Sequence, residues 1–459
     1  MADLYTRLFE PTVFPMLDRL NGTAIGRKLA HLRDTEYLDR GEIRRRQLDK
    51  LTRTLDFTRR HSTFYRELWE REPGPPSTYE PLDGVPIVTK ARFQAATGAF
   101  PLDVYKGRVI SSRTSGSTGS PMVFHRSMEQ ESWFWALRFR IWGWGGYRPG
   151  DPYLTINLNP RLGWKKKLQD RLFRCAYLTF NADNLDARTL VDTINRRRIP
   201  YLNGFSSSLY ALARFMLDNN LRTPSMRSIT ATGDTLYPAY RDTIEEAFGV
   251  RVLDYYGAGG EGFHLASQSL ESGERFLLHP ENAIFEIIGP DGPVAPGERG
   301  RIIATQLDND AMPLIRYELG DVAVAADPGL RSPCGRSLPM LERIEGRMPD
   351  LVVLPSGAFL VTHVFVVLFK NIQSIHRYQV HQDELDRMRI LLVGRDGVDR
   401  TAVEKEVTSS LADTTRGELA IDIEWVDDIP LSGAGKRRLV ISKISRAMLG
   451  IREDDDAHA

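Results

Sequence analysis

The chain has 459 residues, of which 42% are apolar and 26% are charged, and its net formal charge is +1. These values are typical of a folded globular protein of more than one domain, and so small a net charge predicts no nucleic-acid or membrane partner. The two cysteines, Cys175 and Cys334, exclude a disulfide scaffold and suit a reducing compartment. Residues 1–30 lack the apolar core of a signal peptide, and no segment approaches the ~18 apolar residues of a membrane helix. We therefore expect a cytoplasmic protein.

Hydrophobic spacing predicts the secondary structure in chain order. A helical pattern covers residues 41–71 and ends at a proline-rich stretch. From about residue 105 to 330, strand-like and helical runs alternate, which predicts parallel strands joined by crossover helices. The clearest strands are 153–157, 229–232 and 250–256, and the clearest helices are 207–219 and 238–248. The Gly/Pro-rich segment 285–305 predicts a β-hairpin, and with it a β subdomain.

The composition changes again after Gly346, where strand-like runs at 351–354, 379–381, 389–393 and 421–426 accompany a helical run at 402–411. A segment of this size can form a small domain of its own. We predict an α/β protein with an N-terminal domain over residues 1–345 and a small α+β domain over residues 346–459.

The segment RTSGSTGSP at 113–121 is rich in glycine and small hydroxyl residues. Unobstructed backbone N–H groups, assisted by hydroxyls, can form a nest that binds a polyphosphate. The candidate phosphate ligands are Thr114, Ser115, Gly116, Ser117, Thr118 and Gly119. Because the same residue types also form ordinary turns, a polar hairpin turn is the alternative interpretation.

Four further patterns follow this loop in order: ATGDTL at 231–236, DYYGAGGEG at 254–262, PLIRYELGD at 313–321, and the pair GRMPD at 346–350 with PLSGAGKRR at 430–438. In this order they resemble the motifs of the adenylate-forming superfamily, most closely its phenylacetate-CoA ligase-like branch with the capsule-biosynthesis relatives. The resemblance spans about residues 40–445.

The resemblance implies a large domain and a small mobile lid, with ATP, Mg²⁺ and a carboxylic acid bound between them. The implied chemistry is formation of an acyl-adenylate with release of pyrophosphate, followed by transfer of the acyl group to CoA or to an amine. It also suggests an aromatic acid. The aromatic run at 133–147 is a candidate lining of the acid pocket, although core packing explains that run equally well.

The resemblance also implies roles for individual residues. Lys436 corresponds to the catalytic cation, Asp321 and Arg347 to the groups that bind the ribose, and Asp350 to the hinge. Glu261 corresponds to the carboxylate on the Mg²⁺ side. The adenine pocket corresponds to Gly233, Asp234, Tyr255, Tyr256 and Gly257. For the two tyrosines, packing in the core is the competing interpretation.

Three features depart from the pattern of the superfamily. Ser120 stands where many relatives have a lysine, so Arg113 or Arg126 is a candidate contact for the β- and γ-phosphates. Glu261 follows Tyr256 by five residues, where relatives have four, so an extra glycine must be absorbed in the turn. Some relatives hold a structural zinc. Here His279 and Cys334 remain as candidate ligands, too few for a four-coordinate site, and we predict no zinc.

Other classes of function remain open. Gly257, Gly259 and Gly262 satisfy the dinucleotide pattern GxGxxG, but the motif lies in the middle of the chain and the helix that should follow is interrupted at Gly273. A nucleotide-binding homologue without turnover and a pure interaction protein are the remaining alternatives. A homodimer is our expectation for the oligomeric state.

Overall fold

The computed structural model describes residues 4–96, 105–113, 122–157, 163–179 and 187–347, and in the C-terminal part residues 351–356, 359–361, 364–365, 368–369, 372, 374–395, 397–415, 417–429 and 439–444. The chain falls into two compact units, and the principal division lies between Ile344 and Glu345. Within the described residues, no helix has the length and hydrophobicity needed to cross a bilayer. The predicted α/β class is confirmed.

The N-terminal segment is helical, and a π-helical turn, Phe9–Val13, joins its first two helices. The bounds are α1 Leu4–Leu8, α2 Phe14–Asn21, α3 Ile25–Thr35, α4 Arg40–His61, α5 Thr63–Arg71 and α6 Lys90–Ala95. The prediction of a single helix over residues 41–71 is therefore wrong, because the helix is interrupted at Ser62. Ser62 is extended, and its hydroxyl accepts a hydrogen bond from the Tyr65 N–H at 3.4 Å, so it caps a new helix.

The central part of the N-terminal unit alternates strands with helices, as predicted. The strands are β1 Val109–Arg113, β2 Val123–Ser127, β3 Tyr153–Asn157, β4 Cys175–Thr179, β5 Tyr201–Phe205, β6 Ser228–Thr232 and β7 Val252–Tyr256. The helices are α7 Met128–Trp144, α8 Trp164–Leu172, α9 Ala187–Arg197, α10 Ser206–Asp218 and α11 Pro238–Phe248. Strands β3 to β7 pair in parallel in the order β4-β3-β5-β6-β7.

The parallel strands are short and almost fully buried because helices cover them. Ile229 in β6 belongs to the same apolar cluster as Leu190 of α9, Leu212 of α10 and Ile244 of α11, and each of these side chains is at most 3% exposed. Both faces of such a strand are covered, so it appears in the sequence as a continuous apolar run, without alternation.

An antiparallel region continues the same sheet. Its strands are β8 Ala266–Ser267, β9 Phe276–Leu278, β10 Ala283–Gly289, β11 Gly292–Pro293, β12 Arg299–Gln306, β13 Tyr317–Ala325 and β14 Met340–Arg347. The hairpin predicted at 285–305 is confirmed, because β10 pairs antiparallel with β12 and Ile284 faces Thr305. In the described residues the sheet has twelve strands, in the order β11-β10-β12-β13-β14-β9-β8-β7-β6-β5-β3-β4.

The C-terminal unit has its own sheet and its own core. Its elements are β15 Leu351–Val353, β16 Phe359–Val361, β17 Ile375–Glu384, β18 Arg387–Gly394, α12 Arg400–Thr414, β19 Ala420–Trp425 and β20 Val440–Ser442. The strand order of the larger sheet is β19-β18-β17-β20. The fully buried Gln382 side chain joins strands in this unit: its amide donates to the Val353 carbonyl at 2.6 Å, and its carbonyl accepts from the Ser442 hydroxyl at 2.8 Å.

Candidate functional site

Two of the predicted motifs meet at the carboxyl ends of neighbouring parallel strands. Strands β6 and β7 are paired so that Ala231 lies opposite Asp254. Gly233 follows β6 directly, and Gly257 follows β7, so both motifs lie at the same edge of the sheet. This edge is where open α/β sheets bind their ligands.

Gly233 and Asp234 form a tight connection to the neighbouring strand. Gly233 has a φ of +85°, and a Cβ at this position would lie 2.4 Å from the Phe205 ring, so only glycine fits. The Asp234 carboxylate accepts hydrogen bonds from the Ser206 and Ser207 N–H groups, at 2.6 and 3.1 Å. Asp234, in the loop after β6, therefore caps the N-terminus of α10.

The two adjacent tyrosines point to opposite faces of β7. Tyr255 is 3% exposed and lies in an aromatic core, edge-on to His264 at a ring distance of 5.5 Å. For Tyr255 the structure therefore agrees with the competing interpretation, which is packing in the core. Tyr256 is half-buried, and its hydroxyl donates a hydrogen bond to Asp321 Oδ2 at 2.5 Å. The structure thus brings together two predicted site residues that lie 65 positions apart in the chain.

A bulge in β13 presents Asp321. Arg301 in β12 pairs with Val322, whereas Ile303 pairs with Glu318, so β13 contains two more residues than its partner here. Gly320, inside this bulge, has a φ of +79°. A bulge redirects side chains and ends regular pairing, which is why it is common beside functional sites.

The turn that contains Glu261 is held by four side chains from outside it. The carbonyls of four consecutive residues, Gly259 to Gly262, accept hydrogen bonds at 3.3, 2.6, 2.7 and 2.8 Å. The donors, in the same order, are Arg126, Ser112, Gln306 and Gln130. Within the turn, the Ala258 carbonyl accepts from the N–H groups of Gly262 and Phe263, both at 2.9 Å. The additional glycine is accommodated in this hydrogen-bonded turn, and the half-buried Glu261 extends from a fixed backbone.

The β1–β2 hairpin adjoins this turn. Ser112 and Arg126, which bind two of its carbonyls, belong to β1 and β2 respectively. The Arg126 guanidinium also pairs with Glu131 at 2.9 Å and is 7% exposed. Arg126 is thus used in holding the turn, and the structure gives no support to the alternative that it contacts phosphate.

Several predicted site residues lie outside the described part of the chain. They are Thr114, Ser115, Gly116, Ser117, Thr118 and Gly119 of the candidate phosphate loop, with Lys436 and the hinge residue Asp350. Arg347 ends β14, but its side chain is not among those described, and neither is that of Arg113. Strand β1, which precedes the candidate phosphate loop in the chain, pairs antiparallel with β2, which follows it, and Arg113 lies opposite Val123.

His279 and Cys334, the residues considered for zinc, have protein partners. His279 is 1% exposed; its Nδ1 contacts the Arg140 guanidinium at 2.6 Å and its Nε2 contacts the Ser267 hydroxyl at 3.1 Å. The Cys334 thiol lies 2.8 Å from the Ser332 hydroxyl. Among the described residues, no three His, Cys, Asp or Glu side chains form a group suited to a metal ion.

The aromatic run at 133–147 is packed in the core. Trp133, Phe139, Trp142 and Tyr147 are each at most 6% exposed and belong to one apolar cluster. A cavity of about 10 Å³ adjoins Trp142 and Tyr147, which leaves space for about one water molecule. The packing interpretation of this run is therefore favoured over a pocket lining.

Asp254, in β7, is a titratable residue of the site that the sequence did not single out. Burial raises its pKa from 3.8 to about 7, and nearby Asp234 acts in the same direction, while Arg241 opposes them. Folding therefore favours the neutral carboxyl. The resulting stability is fully present below about pH 4 and is lost as the pH rises through about 7.

We expect Asp254→Asn to remove this pH dependence, because the amide resembles the protonated carboxyl and does not titrate. Relative to the parent protein, the variant should gain unfolding free energy between about pH 5 and about pH 8. Urea unfolding at both pH values measures the difference. Asp291→Asn, in an exposed turn, is the matched control. A constant difference between Asp254→Asn and the parent at both pH values would contradict this prediction.

Comparison with known proteins shows which families and proteins this chain is similar to. Residues 352–443 match the family described as the CapK C-terminal domain. The chain is 24% identical over 404 residues to Protein CapK of Staphylococcus aureus, covering 85% of this chain and 87% of the relative. It is 22% identical over 382 residues to a phenylacetate-coenzyme A ligase of Thermus thermophilus, covering 76% of this chain and 80% of the relative.

A solved structure shares the fold. It is a crystal structure of 2-hydroxyisobutyryl-CoA ligase in the postadenylation state, in complex with 2-HIB-AMP, with a TM-score of 0.70 and 22% identity. The match covers 90% of this chain and 93% of the other. Together the comparisons confirm the resemblance to the adenylate-forming superfamily and to its CapK and phenylacetate-CoA ligase branch.

Proposed function

We propose that this chain, a homologue of CapK and of the phenylacetate-CoA ligases, is an ATP-dependent ligase that activates a carboxylic acid as its acyl-adenylate. The acyl group is then transferred to CoA or to an amine. The relatives support this class of reaction, since one is a phenylacetate-CoA ligase and the matching crystal structure contains a conjugate of AMP.

The hydrogen bond between Tyr256 and Asp321 is the observation that carries the proposal. It joins two motifs at the carboxyl edge of the sheet, beside the fixed turn of Glu261. The Asp321 side chain suits the ribose hydroxyls, because a carboxylate is a strong hydrogen-bond acceptor for them. The Tyr256 ring and the tight turn at Gly233 form the proposed adenine pocket, because an aromatic face can stack on a base and glycine permits close approach.

The proposed chemistry begins with attack of the acid's carboxylate oxygen on the α-phosphorus of ATP. The bond from that phosphorus to the bridging oxygen breaks, and pyrophosphate leaves with the electron pair. Both reactants are anionic, so the site must reduce their repulsion. We assign this task to the loop 114–119 and to Lys436, with Glu261 as the residue that would hold Mg²⁺. When bound, the ion neutralises phosphate charge.

The proposed acid is aromatic. The name of the phenylacetate-CoA ligase supports this assignment, whereas the aromatic run at 133–147 does not, because it packs in the core. The acceptor is proposed to be CoA, as in the named ligases, with an amine as the alternative.

Acid-dependent exchange of labelled pyrophosphate into ATP tests the proposed first step. A panel of aromatic and aliphatic acids, each assayed for pyrophosphate release with CoA or with amines, identifies the substrate and the acceptor. We expect exchange with at least one aromatic acid. ATP binding without exchange for any acid would instead identify a nucleotide-binding homologue without turnover, and absence of an ATP-induced thermal shift would identify an interaction protein.

Asp321→Asn is expected to weaken ATP binding by about 10–100-fold, because hydrogen bonds to a charged group contribute about 1.5–3 kcal/mol. Calorimetric titration with ATP measures the loss. Asp291→Asn, in the same β region but on an exposed turn, is the control and should bind ATP as the parent does. Equal affinity of Asp321→Asn and the parent would remove Asp321 from the nucleotide site.

A further inference from the structure

A groove between α1 and α8 exposes an unusual amount of apolar surface. Nine large apolar side chains are exposed in the described residues, and five of them are on these two helices: Leu4, Tyr5, Leu8, Trp164 and Leu168. Trp164 is 71% exposed and Leu4 73%. Exposed apolar surface concentrated in one place marks an interaction site more often than isolated side chains do.

The two helices form one continuous surface. The Tyr5 hydroxyl donates a hydrogen bond to the Leu172 carbonyl at 2.6 Å, and the Arg174 guanidinium lies 5.4 Å from the centre of the Tyr5 ring. Trp164, Leu168 and Leu172 are spaced by four residues on α8, so they share one helix face. The groove is lined by Leu4, Tyr5, Leu168, Arg171, Leu172 and Arg174, and Trp164 lies one turn before Leu168 on the same face of α8. We call this groove, together with Trp164, the α1/α8 groove.

The α8 segment that contributes to this apolar surface is rich in basic residues, and Arg171 and Arg174 line the groove itself. The sequence from 164 to 174 contains Lys165, Lys166, Lys167, Arg171 and Arg174 against one acid, Asp170. The side chains of Lys166, Lys167 and Arg171 are exposed. A net charge of +1 for the whole chain conceals this local excess, because the compensating acids lie elsewhere.

We propose that the α1/α8 groove docks the protein on an anionic lipid bilayer. The basic side chains contact headgroup phosphates, while Trp164 and Leu168 enter the boundary between headgroups and acyl chains. A short basic helix with an exposed tryptophan is suited to lie in the plane of such an interface. The headgroups supply negative charge there, and the acyl chains beneath them supply an apolar environment. This departs from the expectation, based on net charge, that no membrane partner exists.

A second copy of the chain is a poorer occupant of this surface. In a symmetric dimer the same surface is used by both copies, so the basic surface of one copy, which includes Lys167 and Arg171, would lie against an equally basic surface of the other. Opposed like charges disfavour that contact, whereas the bilayer supplies the opposite charge.

Vesicle sedimentation with the full-length protein tests the proposal. We expect binding to vesicles of phosphatidylglycerol and phosphatidylcholine in equal parts, little binding to phosphatidylcholine alone, and release at about 0.5 M NaCl. Lys167→Gln with Arg171→Gln should weaken binding by about 30-fold, since each cation near the surface contributes about fivefold. The matched control is Arg196→Gln with Arg197→Gln, two exposed arginines on α9, which should bind as the parent does.

Trp164 also provides a direct reporter of depth, because it is the most exposed of the seven tryptophans. Brominated phosphatidylcholine mixed into anionic vesicles should quench part of the protein's fluorescence. Trp164→Phe should abolish this quenching but retain most of the binding, because the ring remains apolar. Trp164→Ser with Leu168→Ser should lose binding, whereas Tyr37→Ser with Leu270→Ser, which removes exposed apolar groups elsewhere, should not.

Several results would overturn the proposal. These are equal binding to neutral and anionic vesicles, binding to neither, or quenching that persists in Trp164→Phe. Concentration-dependent self-association in sedimentation velocity that the Trp164→Ser, Leu168→Ser variant abolishes, without vesicle binding by the parent, would assign the groove to a second copy of the chain.

Discussion

Lys436→Ala is expected to reduce acid-dependent pyrophosphate exchange by about 10²–10³-fold, the usual effect of removing one group that stabilises charge in a transition state. Affinity for ATP should change little, because the proposed cation acts on the charge that develops as pyrophosphate leaves. The measurements are exchange rate and calorimetric ATP affinity on the same preparation. Loss of exchange with retained affinity is the signature of an interaction made in the transition state alone.

Two controls separate this role from a general effect of charge. Lys405→Ala removes an exposed lysine from α12 of the same C-terminal unit and should leave exchange unchanged. Transfer from a chemically prepared acyl-adenylate should also be unaffected in Lys436→Ala, since that step releases no pyrophosphate. Exchange at the parental rate in Lys436→Ala would exclude Lys436 from the mechanism, and loss of both half-reactions would indicate a structural defect.

The elements of the α/β region could be predicted because each strand is a short apolar run between helices with a clear apolar face. The predicted strand at 153–157 and the predicted helix at 238–248 coincide with β3 and α11. The sequence did not predict that residues 41–71 form two helices, because the interruption depends on a single serine that caps the second helix. Spacing of apolar residues continues across Ser62 and does not detect its extended backbone.

The structure brings three of the predicted motifs together at one edge of the sheet, but the sequence did not show what each side chain within a motif does. Tyr255 and Tyr256 are equivalent in the sequence, and only the alternation of β7 puts one in the core and the other beside Asp321. Asp234 lies in a predicted nucleotide motif, yet its carboxylate caps α10. The four donors to the turn of Glu261 come from three different parts of the chain, and no local pattern marks Ser112, Gln130 or Gln306 as its partners.

Arg316 is another residue whose role could not be predicted from the motif in which it lies. It lies five residues before Asp321 in PLIRYELGD, and the sequence assigned it no role. In the structure Arg316 and Glu286 are 0% and 1% exposed and form a salt bridge at 3.1 Å. The guanidinium also donates to the carbonyls of Pro75 and Val85, at 2.8 and 2.7 Å. Arg316 thereby ties the proline-rich segment to β10 at the start of β13.

Arg316→Met is therefore expected to lower the free energy of unfolding by about 3–5 kcal/mol, because it leaves the Glu286 carboxylate buried without its counter-charge. Denaturant unfolding at neutral pH measures the loss. The matched control is Arg275→Met, which breaks the more exposed 2.7 Å pair with Glu342 and should cost about 0–1 kcal/mol. Similar losses for the two variants would mean that the buried pair contributes no more than a surface pair.

The pH dependence identifies the cause of the loss. Burial already raises the pKa of Glu286, and the neighbouring Arg316 is the largest opposing influence. In Arg316→Met the pKa of Glu286 should therefore rise further. A carboxyl with a raised pKa in the folded state stabilises at low pH and loses that contribution as the pH rises. The deficit of Arg316→Met should accordingly shrink toward acidic pH, and adding Glu286→Met should recover part of it, because no charge then remains buried. A deficit that is independent of pH would instead attribute the loss to the unpaired carbonyls of Pro75 and Val85.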